Sequence, residues 1–246
     1  DLDALVHNYH MLRKKIGPEV KFLGVVKADA YGHGSVQVSC LLQELGADYL
    51  AVSSIDEAIE LRHNDITMPI LILGHTPKEQ VSRLIKYNIT QAVTCKAKAL
   101  EYSEEAVRCG GTLKIHIKVD TGMRRIGLEP DESGVEIVKK IKNLKALNAR
   151  GLFTHLATAD EKDKTEGISF EIKHVSNSAA IIDMPQANHG MVRLGITLYG
   201  MYPSDEVDKS AVALKPALQL KSHVAMVKTV PAGEKIGYGG TFETKR

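Results

Sequence analysis

Val25-Val26-Lys27-Ala28-Asp29-Ala30-Tyr31-Gly32-His33-Gly34 is the stretch on which the reading of the fold turns. An apolar run from Phe22 to Val26 stops at a lysine, and small residues and glycines follow. A short apolar run closed by a turn reads as a buried strand. In an α/β barrel that junction is the C-terminal end of a strand, where active sites are built. A lysine there is poorly solvated, and a desolvated amine attacks carbonyls. An aldehyde cofactor is the carbonyl this arrangement favours.

Outward from Lys27, short apolar runs alternate with longer helical patterns, as in βα units around a parallel sheet. Eight strands are expected: Phe22 to Val26, Tyr49 to Val52, Ile70 to Leu73, Thr90 to Val93, Leu113 to Val119, Ala149 to Thr154, Phe170 to Lys173 and Met191 to Leu194. Ser54-Ile55-Asp56-Glu57 reads as a capping box. Thr76-Pro77-Lys78-Glu79 reads as a second, with Pro77 at the first helical position. Gly46 and Gly110 stand where helices should stop. The expected fold class is an α/β (β/α)8 TIM-type barrel over residues 1–213, and a doubly wound sheet is the competitor. Leu218 to Val230 alternates loosely and then meets Pro231-Ala232-Gly233, a strand-and-turn pattern. Residues 214–246 are therefore expected to begin a C-terminal β domain whose remainder is absent. Between the sixth and seventh strands, Ala157 to Ser169 is too polar and short for a crossover helix. Residues are expected to be missing there, near Thr165 and Glu166.

The chain has 246 residues and a formal net charge of +2, too small to suggest a nucleic-acid surface. Lys139, Lys140, Lys142 and Lys145 read as the solvated face of one helix. No run of about 18 apolar residues exists, so no membrane span is expected. No secretory leader is visible at the start, where the chain opens abruptly at Asp1. Cys40, Cys95 and Cys109 lack metal-ligand spacing and read as reduced, mostly buried thiols of a cytoplasmic protein.

Polar residues gather at five of the expected strand ends. They are Lys27; Lys118, Asp120 and Arg125; His155; His174 with Asn177 and Ser178; and Arg193 with Gly195 and Ile196. Barrels often hold phosphate in the loops after strands seven and eight. Asn177-Ser178-Ala179-Ala180 supplies a hydroxyl at a helix start, and Gly195 lets backbone approach closely. Each residue also has a plainer reading. Ser178 could be only an N-cap, and His155 only a packing residue. His174 and Arg193 could hydrogen-bond each other, Asp120 and Arg125 could form an ion pair, and Tyr238 could be an exposed loop aromatic.

Taken together, six stretches carry a resemblance. Val26 to Gly34 resembles the pyridoxal-phosphate lysine signature of the bacterial alanine racemase family. Lys118-Val119-Asp120-Thr121-Gly122-Met123 with Arg125-Ile126-Gly127 resembles a second motif. Thr154 to Asp160, Asn177 to Ala180, Met191 to Ile196, and Pro231 to Lys235 with Gly237-Tyr238-Gly239 follow in the family's order. The resemblance implies pyridoxal 5'-phosphate as cofactor, with Lys27 as its covalent tether and one catalytic base. Tyr238 would be the opposing base, entering from the partner subunit of a homodimer. Tyr31, Ser178, Gly195 and Ile196, with Asn177 beside them, would hold the phosphate. Arg193 would face the pyridine nitrogen with His174 behind it, and His155 would lie against the ring. Arg125 would bind the cofactor's phenolic oxygen and the substrate carboxylate. Lys118 matches a position that is carbamylated in many members. The implied reaction is interconversion of L- and D-alanine, supplying peptidoglycan. A serine or broad-specificity racemase, a barrel-type decarboxylase and a non-catalytic cofactor carrier are the alternatives.

Overall fold

The computed structural model describes residues 1–155 and 168–245. The stretch around Thr165 and Glu166, where missing residues are expected, lies outside them. Eight parallel strands form one sheet: β1 (Lys21–Val25), β2 (Tyr49–Val52), β3 (Ile70–Ile72), β4 (Thr90–Val93), β5 (Leu113–Lys118), β6 (Leu147–Phe153), β7 (Ile172–His174) and β8 (Met191–Leu194). Between or before them run α1 (Leu2–Ile16), the short turn α2 (Lys27–Gly32), α3 (Ser35–Glu44), α4 (Ile55–His63), α5 (Val81–Lys86), α6 (Lys96–Arg108), α7 (Glu132–Lys142) and α8 (Ser178–Asp183).

The spatial strand order is β7-β6-β5-β4-β3-β2-β1-β8. Each strand neighbours its sequence neighbour, and β8 returns to pair with β1. A doubly wound sheet would place the first strand inside and reverse direction there. This order excludes it and is that of a nearly closed barrel. At the remaining seam, Arg193 N–H of β8 donates to Ser176 O just past β7 at 3.0 Å.

Side-chain parity divides each strand between two apolar environments. Phe22, Ile115, Ile117, Leu152, Val192 and Leu194 pack outward with the helices. Leu23, Val25, Phe153, Ile172 and Met191 pack inside the barrel. Both faces are apolar, which is why the strands read as nearly continuous hydrophobic runs. Gly24 permits α3 to come close, since a Cβ there would lie 2.5 Å from Leu42 Cδ1. No helix among the described residues is long and apolar enough to cross a membrane.

Several local expectations are met. Ser54 and Glu57 form the capping box of α4. Gly46 and Gly110 follow α3 and α6 with φ of 79° and 66°, as left-handed helix stops do. Others are corrected. Thr76 caps nothing, because its hydroxyl donates to Gln91 Oε1 at 2.6 Å and is buried with it. Pro77 precedes a 3₁₀ turn, Lys78–Gln80, rather than opening an α-helix. Lys145 lies beyond the end of α7, in the turn before β6. Cys95 and Cys109 are exposed and Cys40 half-buried, since the first two flank α6 at its solvent ends; all three are free.

Leu218 to Val230 forms no strand. A strand exists only through a hydrogen-bonded neighbour, and none pairs with this segment among the described residues. The chain then makes a small antiparallel hairpin, β9 (Lys235–Ile236) with β10 (Phe242–Glu243), joined through a turn at Tyr238–Gly240.

Candidate active site

The turn after Lys27 is unusual in its backbone. Ala28, Asp29, Ala30 and Tyr31 all have φ between 51° and 54° with ψ between 34° and 54°. Four consecutive left-handed residues with side chains cost about 1–2 kcal/mol each. Such a conformation persists only where surrounding bonds over-determine it. Here Ala30 N–H donates to Val26 O at 2.9 Å, and Gly34 N–H donates to Asp29 O at 3.0 Å. The Asp29 carboxylate accepts Ser35 N–H at 2.7 Å. Glu57, from the next βα unit, accepts Ala28 N–H at 2.8 Å and Ser53 N–H at 2.6 Å. The result is a half-buried Lys27 on a fixed base, with Tyr31 carried across the barrel mouth.

Tyr31 meets the far side of the barrel there. Its ring stands edge-on to Tyr199 at 5.2 Å, and Tyr199 Oη donates to Val25 O at 2.8 Å. A Cβ placed on Gly195 would lie 3.1 Å from Tyr31 Oη and 3.9 Å from Ser178 Oγ. Ser178 Oγ accepts Gly195 N–H at 3.3 Å and lies 3.0 Å from Thr197 Oγ1. Tyr31, Ser178 and Gly195 therefore converge from three segments, with Ile196 next in chain. Asn177, rather than Ser178, is the N-cap of α8, accepting Ala180 N–H at 3.2 Å.

Arg193 points inward from β8 and is 4% exposed. Its Nη2 donates to Thr154 O at 2.6 Å and Val175 O at 2.9 Å. Its Nη1 donates to His174 O at 2.9 Å and to His174 Nδ1 at 3.2 Å. Among the described residues, only the Nε–H of this guanidinium has no partner. Burial and then the Arg125 charge lower Arg193 to about 9, so it stays a cation at neutral pH. The pairing of His174 with Arg193 is thus real, but it is one part of a larger arrangement.

The loop after β5 returns cations to the same mouth. Asp120 accepts backbone N–H groups from Gly122 at 3.1 Å, Arg124 at 2.9 Å and Arg125 at 2.7 Å. Asp120 and Arg125 therefore meet through backbone and not as an ion pair. Partial burial works against the ionised Asp120 carboxylate, but those three donors hold it below the usual range. Lys118 is 3% exposed and donates to Ile126 O at 2.5 Å. Burial first, then Arg125, lowers it to about 8. His155 is half-buried and lowered to about 4, by burial and then by the charges of Arg193, Arg125, Lys118 and Lys27. Those four cations therefore share one neighbourhood around His155, a setting made for anions.

Tyr238 is not part of this cluster. It stands fully exposed on the β9–β10 turn, at 107% of its reference area. Several contacts escaped the sequence reading: those of Tyr199, Thr197 and His116, and the reach of Glu57 beyond its own capping box to Ala28 N–H. Parity along Leu113-Lys114-Ile115-His116-Ile117-Lys118 was the available signal for His116, which shares the inward face with Lys118. Among the described residues no group of three or more His, Cys, Asp or Glu could hold a metal ion.

Comparison with known proteins agrees with this geometry. Residues 1–203 match the family described as alanine racemase, N-terminal domain. A relative from Methanococcus maripaludis, named alanine racemase, is 45% identical over all of this chain and 71% of its own length. One from Desulfosudis oleivorans, with the same name, is 42% identical over all of this chain and 70% of its own. A solved alanine racemase of Clostridium difficile superposes with a TM-score of 0.90 at 43% identity, covering 99% of this chain and 69% of that one. Another, from Bacillus anthracis with bound L-Ala-P, gives 0.83 at 34% identity, covering all of this chain and 68% of that one. The barrel, its cation-lined mouth and these likenesses over the whole chain place it in the alanine racemase family.

Proposed function

We propose that this protein interconverts L- and D-alanine with pyridoxal 5'-phosphate, supplying D-alanine for peptidoglycan. The observation that carries the reading is the convergence of Lys27, Arg193 and the Tyr31–Ser178–Gly195 cluster at one barrel mouth. The residues suit a phosphorylated pyridine aldehyde. Glycine at 195 leaves open the space a Cβ would fill beside Tyr31 Oη and Ser178 Oγ. Among the described residues the Arg193 Nε–H is an unspent donor, and the surrounding cations call for an anion. When bound, the cofactor supplies the delocalisation that makes the Cα proton of an amino acid removable.

The chain's own residues then have separate tasks. Tyr31, Ser178, Gly195 and Ile196 bind the phosphate, with Asn177 fixing the start of α8. Lys27 Nζ tethers the cofactor and takes or returns the Cα proton on one face. Tyr238, contributed by the partner subunit of a homodimer, does the same on the opposite face. Two bases on opposite faces invert the centre without turning the substrate over. Arg193 keeps its proton and would offer the pyridine nitrogen a hydrogen bond rather than a proton. Arg125 orients the substrate carboxylate and the cofactor's phenolic oxygen, and His155 lies neutral against the ring. Lys118, near 8, is an amine that can add to carbon dioxide with loss of a proton to solvent. The resulting carbamate would set a negative charge beside Arg125. The three free thiols suit a cytoplasmic setting.

The test is solvent-deuterium exchange at Cα of L- and D-alanine, with serine as comparator. Label incorporation with inversion of alanine is expected. Faster exchange of serine would move the assignment to a serine or broad-specificity racemase. Release of carbon dioxide would replace racemisation by decarboxylation, and no exchange would leave a cofactor carrier.

A further inference from the structure

Beneath Arg193 runs a buried polar line that the chemistry at the mouth does not use. His174, fully buried on β7, receives Arg193 Nη1 at its Nδ1. Its Nε2 lies 3.0 Å from Nδ1 of His116, itself fully buried on β5. The two rings meet edge-on at 5.1 Å, and Phe153 stacks on His174 at 4.7 Å and 9°. The space for His116 exists because residue 151 is glycine; a Cβ there would sit 2.5–2.7 Å from the imidazole. His116 Nε2 is buried with no partner among the described residues.

The hydrogen bonds allow one pattern of protons. Arginine only donates. His174 Nδ1 must therefore be a lone pair, and the single proton of a neutral His174 sits on Nε2. That proton points at His116 Nδ1, which must also be a lone pair, leaving His116 protonated on its unpartnered Nε2. Burial keeps both rings neutral, and near His116 the charges of Arg150 and Glu171 act with opposite sign. A buried donor without an acceptor is a cost that an aliphatic side chain would avoid. Its retention needs a reason beyond packing.

We propose that His116 is a positioning residue: by accepting the Nε2–H of His174 it locks His174 as an acceptor toward Arg193, and so fixes where the free Nε–H of Arg193 points. This rests on the reading of Arg193 as the partner of the cofactor ring. It extends the control of that partner through the barrel interior to β5, on the opposite side of β6 and β7.

The test uses the whole chain labelled with ¹⁵N-histidine, first without pyridoxal phosphate and then with it. His116→Asn keeps an acceptor where Nδ1 stands, whereas His116→Leu does not. In the unsubstituted chain, His174 should show a protonated Nε2 and a bare Nδ1. His116→Asn should preserve that signature, and His116→Leu should lose it. Pyridoxal phosphate should bind His116→Leu about tenfold more weakly, the size of one lost buried hydrogen bond, and His116→Asn with most of that loss restored. A His174 protonated on Nδ1, or leucine and asparagine variants that behave alike in both measurements, would overturn the proposal. If His116→Leu fails to fold, the tautomer of the unsubstituted chain and the asparagine variant still decide. A correct tautomer in a chain that gives no near-visible absorbance with pyridoxal phosphate would instead sink the cofactor reading.

Discussion

Lys27 and Tyr238, the two proposed bases, sit in opposite kinds of structure. Between Ala28 and Ser35, backbone donors from Ala28, Ala30, His33, Gly34 and Ser35 all reach acceptors. They hold a left-handed turn that would not persist alone. Tyr238 stands, fully exposed, on a hairpin whose two-residue strands both face solvent. A base must be held within a fraction of an ångström to act on a chosen proton. The barrel does this for Lys27 by itself. For Tyr238 the constraint would have to come from the partner subunit of the proposed homodimer.

The largest effects should separate the two bases. Lys27→Ala is expected to abolish the near-visible absorbance of bound cofactor and to lower turnover by at least about 10⁴-fold, as removal of a covalent nucleophile does. Tyr238→Phe should keep that absorbance and the melting temperature while lowering turnover by about 10²–10⁴-fold, the range of general-base catalysis. Loss of cofactor in the tyrosine variant would break the comparison, since the hairpin would then shape the mouth as well.

Acid should reach the barrel but not the hairpin. His116 is held to about 4 and His174 well below its ordinary value of 6.5. As pH falls from about 6.5 toward 4, the unfolded chain binds protons that the folded barrel refuses, so stability falls. Each such histidine adds a slope of about 1.4 kcal/mol per pH unit in that window. Denaturant titrations at pH 7, 6 and 5 check this, and a flat profile would mean that the pair is solvated.

Smaller effects test the mouth and the turn. Gly195→Ala should weaken cofactor binding about tenfold, worth about 1.4 kcal/mol, by placing a methyl 3.1 Å from Tyr31 Oη. Spectroscopic titration with pyridoxal phosphate would register it. Glu57→Gln should cost about 1 kcal/mol of stability, because its amide meets N–H donors where a carboxylate oxygen accepted them. It should also slow capture of the cofactor by Lys27; an unchanged rate would show that the turn holds without this clamp.

Much of the site was legible because barrel architecture converts sequence position into spatial position. Lys27, Lys118, His155, His174 and Arg193 each follow or end an apolar run, and parallel strands deliver all such ends to one face. Three readings failed for one reason: side chains and backbone alike take partners that local sequence does not reveal. Thr76 took Gln91 instead of capping a helix. Asp120 took three backbone donors instead of the Arg125 side chain. Leu218 to Val230 had the alternation of a strand but, among the described residues, no neighbour to pair with. His116 was missed because a histidine in an apolar strand looks like packing until its ring nitrogens are followed.

What the sequence by itself determined is the alternation of strands and helices, the strand-end chemistry and the order of the six motifs. These rest on local periodicity and on residues adjacent in the chain. Tertiary structure alone decided the left-handed turn under Lys27, the direction of Arg193 and the meeting of Tyr31 with Gly195. The turn needs Glu57 from the next βα unit, and the other two need contacts made only when the barrel closes. Tyr199 Oη reaching Val25 O across 174 positions is the simplest instance. The strain in residues 28–31 is tolerable because bonds within the turn and from Glu57 of the next βα unit oppose it.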